Sequence, residues 1–277
     1  MFRIFSIIAT VFTLVSAVQS HALLVPLYSR PDTIDWKPVH DSLEAHPKTT
    51  FYLIVNPQNG PGSTAFPDQV LITAFAKLNS YGNAKLLGYI STQYGNRAIT
   101  DVEREVGVYS NWASYKGKNI ALDGVFFNEG SDGGDTFKLA YYQQLSKAAK
   151  GSKLNTVIFN PGTKLVANIP KWFAAADFIV EYENTWGRWV SLPPIQHFSD
   201  IKYYHHVGMM VRGTPGDASL TDVVHLAVSM GLGAIYVTFD DKYDTILSML
   251  SVVKDAMVVN SPLPRDIIPK GEVYRMR

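Results

Sequence analysis

The chain has 277 residues, 47% hydrophobic and 18% charged, too apolar for disorder and long enough to bury about three quarters of its unfolded surface. Basic and acidic residues number 25 and 24, with no block of like charge, which argues against a nucleic-acid partner. Cysteine is absent, so the fold must rest on its core rather than on disulfide staples.

Residues 1–22 read as a secretory signal. Met1-Phe2-Arg3 supplies a short positive start, residues 4–15 are apolar apart from Ser and Thr, and the small residues Ser20 and Ala22 offer cleavage after either. The apolar stretch is too short to span a bilayer, and no later stretch is long and apolar enough. The mature chain is therefore expected to be secreted, extracellular or at the cell surface, with no membrane span, and monomeric.

Beyond the signal, short β-type apolar runs at 23–28, 51–55, 85–90, 122–127, 156–159, 178–182, 203–211 and 234–239 alternate with helical patterns. The helical patterns lie at 68–78, 100–115, 136–150, 220–230 and 243–258, and Asp68, Thr100, Asp135 and Thr221 stand before or at their starts as cap-type residues. Eight βα units in residues 23–260 predict a single (β/α)8 barrel, followed by a tail at 261–277 with three prolines and a basic end. An open doubly wound sheet is disfavoured because no Gly-x-Gly-x-x-Gly follows the first strand.

In such a barrel the residues just after each strand form the site, and here they are polar and aromatic. Asn56 to Gly62, Ser91 to Arg97, Asn128-Glu129, Asn160-Pro161-Gly162, Glu181-Tyr182-Glu183 and Asp240-Asp241 follow successive apolar runs. Amides and carboxylates suit sugar hydroxyls, and Tyr or Trp faces suit sugar rings. A pair of carboxylates from different strands suits glycoside hydrolysis. Strict alternation places Asp123, Val125, Phe127 and Glu129 on one face; if that face is the interior, Glu129 stands at the rim and Asn128 points away unless the strand ends or bulges there. Glu181 and Glu183 share a parity, so the pleat does not choose between them, but Glu183 lies nearer the rim and precedes Trp186. Adjacent His205 and His206 on a strand would face opposite sides, so no metal site is expected there, and no cofactor is expected.

With Val25-Pro26-Leu27-Tyr28, Val55-Asn56-Pro57-Gln58-Asn59-Gly60-Pro61-Gly62, Leu87-Gly88-Tyr89-Ile90-Ser91-Thr92-Gln93-Tyr94-Gly95-Asn96-Arg97, Tyr109-Ser110-Asn111-Trp112, Asp123-Gly124-Val125-Phe126-Phe127-Asn128-Glu129, Tyr182-Glu183 and Ala234-Ile235-Tyr236-Val237-Thr238 in order along the chain, the sequence resembles the spherulin-4-like proteins. These are secreted (β/α)8 barrels that include glycoside hydrolase family 135. The resemblance implies an endo-acting hydrolase of galactosaminogalactan, cutting α-1,4-linked N-acetylgalactosamine. The family's Asp-Glu pair ending strand four falls on Asn128 and Glu129, and its strand-six Glu on Glu183. The candidate substrate-binding set, read from the strand-end rim, is Tyr28, Asn56, Asn59, Tyr89, Thr92, Tyr94, Arg97, Asn160, Glu181, Trp186 and Asp240. Asn128 departs from the family's Asp. An amide cannot act as nucleophile or proton acceptor, so a catalytically inactive carbohydrate-binding or cell-surface coat protein is the alternative. In the enzyme reading Glu129 is the general acid, Glu183 the base or nucleophile, and Asn128 an orienting group for the acetamido substituent.

Overall fold

A computed structural model describes residues 21–243. The predicted signal up to Ser20, the predicted helix beyond Tyr243 and the predicted tail at 261–277 lie outside the described residues. Eight parallel strands form a closed barrel: β1 (Ala22–Leu27), β2 (Phe51–Val55), β3 (Ala84–Ser91), β4 (Gly124–Asn128), β5 (Thr156–Asn160), β6 (Phe178–Thr185), β7 (Val207–Arg212) and β8 (Ala234–Val237). Each pairs with its neighbour in sequence, and β1 closes on β8 through Ala22↔Ala234 and Leu23↔Ile235. The strands read as nearly unbroken apolar runs because each is covered on both faces, by the barrel interior and by helices.

Seven α-helices lie among the described residues: α1 (Lys37–Ala45), α2 (Gln69–Leu78), α3 (Ile99–Asn111), α4 (Thr136–Gly151), α5 (Ile169–Phe173), α6 (Trp186–Val190) and α7 (Asp217–Met230). Asp68 caps α2 by accepting from the amides of Val70 and Leu71, and Asp135 caps α4 by accepting from Phe137. The other two expected caps are corrected. Thr100 and Thr221 lie inside α3 and α7, whose N-caps are Ala98 and Gly216. The short α5 and α6, and α1 with its near-even polar composition, carry too few apolar repeats to stand out in the sequence.

A second correction concerns residues 203–206, expected as strand. They belong to a 3-10 helix, Ile201–His206, whose start is capped by Asp200 accepting from the Lys202 amide. His205 and His206 are therefore not on opposite faces of a pleat: their ring centroids are 4.1 Å apart, and His206 Nδ1 bonds the Asp177 carbonyl at 2.9 Å.

Two close approaches fix the barrel. A Cβ on Gly124 would stand 1.9 Å from the Thr156 carbonyl oxygen of β5, and one on Gly88 would meet the Tyr109 ring of α3 at 2.5 Å. Gly88 thus marks the helix-facing side of β3, leaving Tyr89 and Ser91 on the inner side.

Candidate active site

The inner side of β4 carries Phe126 and Asn128, the reverse of the simplest reading of its alternation. Phe127 packs outward through Phe159 onto Tyr142 of α4, with ring centroids 6.0 and 5.0 Å apart. Phe126 stacks on the inward Tyr89 at 6.5 Å. Val125, Phe126 and Phe127 are all fully buried, so no polar side distinguishes the two faces of this pleat.

Asn128 opens a chain of polar contacts across the C-terminal mouth of the barrel. Its Nδ2 donates to Tyr89 Oη at 2.9 Å, and its Oδ1 accepts from Asn160 Nδ2 at 2.7 Å. Asn160 Nδ2 also donates to Glu183 Oε2 at 2.5 Å. Strands β3, β4, β5 and β6 thus each contribute one member to the row Tyr89, Asn128, Asn160 and Glu183. Asn160 is 3% exposed, and its Oδ1 has no partner among the described residues.

Glu129 is held beside this row by Ser91, although strand alternation would turn it away. Its φ of 53° is left-handed, a conformation that costs a non-glycine residue of order 1 kcal/mol or more and is a signature of functional positions. Its carbonyl is held by the Tyr94 amide at 2.6 Å and by Thr92 Oγ1 at 2.8 Å. Its carboxylate Oε2 accepts from Ser91 Oγ on the inner side of β3. Burial raises the Tyr89 phenol above its ordinary value, the Asn128 bond opposes this, and the charges of Glu129 and Glu183 both add to the rise. Because Tyr89 Oη accepts from Asn128, its own proton remains available to a ligand.

Glu183 owes its place to a bulge. The β6–β7 register shifts between Val180 and Tyr182, so that Glu183 pairs with Met210 and no longer shares a side with Glu181. Glu181 is fully buried: Leu165 N and Ser199 N donate to its two oxygens at 2.9 and 3.0 Å, and burial raises its carboxyl above the usual range. It anchors two loops, which corrects its assignment to substrate binding.

Five other expected ligand contacts are likewise engaged elsewhere. Thr92 is fully buried, with Oγ1 2.7 Å from Tyr142 Oη. Arg97 grips Glu105 with two bonds of 2.6 and 3.1 Å and the Ser91 carbonyl at 2.8 Å. Trp186 faces a side cleft with Val223 and Leu226 of α7. Asn56 Oδ1 accepts from the Gly60 amide and so shapes the turn on which Asn59, at φ 53°, is exposed. Asp240 accepts from the Lys242 amide in the turn after β8.

Tyr28 and Tyr94 keep positions open to a ligand. Tyr28 packs edge-on against Tyr89 at 5.6 Å, and Tyr94 is 59% exposed beside Glu129. Two residues near the carboxylates were not singled out as candidates from the sequence. Ser91 could have been found from its parity with Tyr89. Tyr243, packed at 5.6 Å on Tyr236 and at 6.3 Å on Tyr28, carries no local signal; its hydroxyl is pushed up by burial first and then by Glu183.

Comparison with known proteins adds independent observations. A family model described as spherulation-specific family 4, Spherulin4, matches residues 22–257. Spherulin-4 of Physarum polycephalum is 29% identical over 243 residues, spanning 83% of this chain and 68% of that protein. Sph3 of Aspergillus clavatus, solved in complex with GalNAc, superposes with a TM-score of 0.75 at 27% identity, covering 87% of this chain and 98% of that one. A class V chitinase from Pseudomonas fluorescens shares the fold at a TM-score of 0.54 and 10% identity, over 86% of this chain and all of that one.

Proposed function

The chain belongs to the Spherulin4 family, and from that premise we propose that it is a secreted endo-acting glycoside hydrolase of a polysaccharide containing α-1,4-linked N-acetylgalactosamine. The observation that carries the reading is that two carboxylates from different strand ends are held at one barrel mouth, Glu129 by the inward Ser91 and Glu183 by Asn160 of the polar row. The family resemblance supports the linkage, and the GalNAc bound by Sph3 supports the sugar.

In this reading Glu129 is the general acid. Ser91 occupies its Oε2, so Oε1 carries the proton that passes to the glycosidic oxygen as the C1–O bond breaks. Glu183 receives the developing positive charge at the anomeric carbon, as base toward water or as nucleophile. Asn160 Nδ2 fixes its Oε2. Asn128 spends one N–H on Tyr89 and has a second to offer an acetamido carbonyl. Exposed Tyr94 supplies a ring face for stacking. Products of an N-acetylgalactosamine polymer separated by mass should form a ladder of short oligosaccharides; free monosaccharide alone would contradict the endo assignment.

The amide at position 128 favours a second reading, a sugar-binding barrel without catalysis. Its shell suits a carboxylate as well as an amide, because Tyr89 O–H and Asn160 Nδ2 can both donate toward Asp. Binding of the polymer with no release of products by the wild type, together with release by Asn128→Asp, would select this reading.

A further inference from the structure

A second cleft, of about 470 Å³, lies beside Glu183 between the loop after β5 and the start of α6, within the size range of small-molecule sites. Gly162 joins it to the polar row: a Cβ there would stand 3.5 Å from Glu183 Cβ and 3.9 Å from Asn160 Oδ1. The cleft is flanked by Lys164 and Arg188, both exposed, and neither forms an ion pair with a carboxylate among the described residues. Its lining carboxylate, Glu181, is fully buried, has both oxygens taken by backbone amides and forms no ion pair with either cation, although it feels the Lys164 charge. The floor is closed by His197, 6% exposed, which stacks on Trp189 at 5.0 Å and bonds the Trp189 carbonyl through Nε2 at 2.9 Å. Burial lowers its pKa, the bond to the Trp189 carbonyl opposes this, and the charges of Arg188 and Lys164 lower it further.

Two unpaired cations over a polar cleft make a receptor for a negative group. The planar Arg fork matches a carboxylate, and the amides of Asn184 and Gln196 on the walls can serve ring hydroxyls. We propose that this cleft is a subsite for a carboxylate-bearing, uronic-acid-type sugar residue adjoining the one held at Glu183. Its position along a polysaccharide rests on the hydrolase reading, whereas its capacity to bind an acidic sugar does not. The same charges repel a protonated amino sugar, so the subsite selects against de-N-acetylated residues.

The test is calorimetric titration of the full chain, carrying Glu183→Gln to block turnover, with three trisaccharides: tri-galacturonate, neutral tri-N-acetylchitotriose and its cationic de-N-acetylated form. Tri-galacturonate is expected to bind, to weaken on added salt, and to lose affinity about fivefold with either Lys164→Ala or Arg188→Ala. Both side chains are exposed, and melting curves would verify that the variants fold. The cationic trimer should leave tri-galacturonate binding unchanged when mixed with it. No binding of tri-galacturonate, or binding that survives both substitutions, overturns the proposal. Acid binding by a protein that hydrolyses nothing would sink the hydrolase reading alone; hydrolysis without acid binding would sink this one alone.

Discussion

At the scale of single residues, the site divides into groups that face a ligand and groups that hold those groups in place. Arg97 belongs to the second kind: it is 18% exposed against a Glu105 side chain 17% exposed, and it also ties down the Ser91 carbonyl behind Glu129. Arg97→Ala leaves Glu105 without its partner and is expected to cost about 2 kcal/mol of stability, read as a lower urea midpoint. An unchanged midpoint with weakened sugar binding would mean that Arg97 contacts substrate instead. The sequence showed Arg97 and Thr92 only as polar residues following a strand. Their partners, Glu105 and Tyr142, come from helices later in the chain, and nothing local marks those pairings. Glu129 was legible as a residue, whereas its left-handed backbone was not, because the contacts that enforce it come from Thr92 and Tyr94.

At the scale of elements, β4 and β6 set the chemistry. The eight-fold alternation was legible because strands covered on both faces appear as apolar runs. For the same reason the pleat of β4 could not be oriented, since Val125, Phe126 and Phe127 are all buried. On β6, Glu181 and Glu183 were equivalent until the bulge separated them. Burial raises the folded-state pKa of Glu181 above its unfolded value of 4.5. The folded protein then binds this proton more tightly, so the contribution is full below the unfolded pKa and is lost as pH rises through the folded one. The urea midpoint of the wild type minus that of Glu181→Gln should therefore fall from acid toward neutral pH; a flat difference would contradict it. The seam between β4 and β5 is tested by Gly124→Ala, whose methyl would strike the Thr156 carbonyl. A loss of about 3 kcal/mol or more is expected, and an unchanged melting temperature would refute the close approach.

At the scale of the whole molecule, closure of the barrel bears on the proposed signal cleavage. The Ala22 amide donates to the Gly233 carbonyl at 2.9 Å and His21 Nδ1 lies 2.6 Å from the Leu232 carbonyl, so both residues belong to the seam between β1 and β8. On the proposed secretion, of the two cuts that the sequence allows, the one after Ser20 keeps that seam intact, and mass spectrometry of protein recovered from the medium is expected to find His21 at its N-terminus. A chain beginning at Leu23 would contradict this. The central claim is that one barrel mouth joins Glu129 and Glu183 into a hydrolytic pair, with Asn128 tolerated between them. Its most direct test is reducing-end release from an α-1,4-linked N-acetylgalactosamine polymer by wild type, Glu129→Gln, Glu183→Gln and Asn128→Asp. The account predicts release by the wild type and a fall of about a hundredfold or more in each Gln variant. A silent wild type, or a Glu129→Gln variant as active as the wild type, would contradict it.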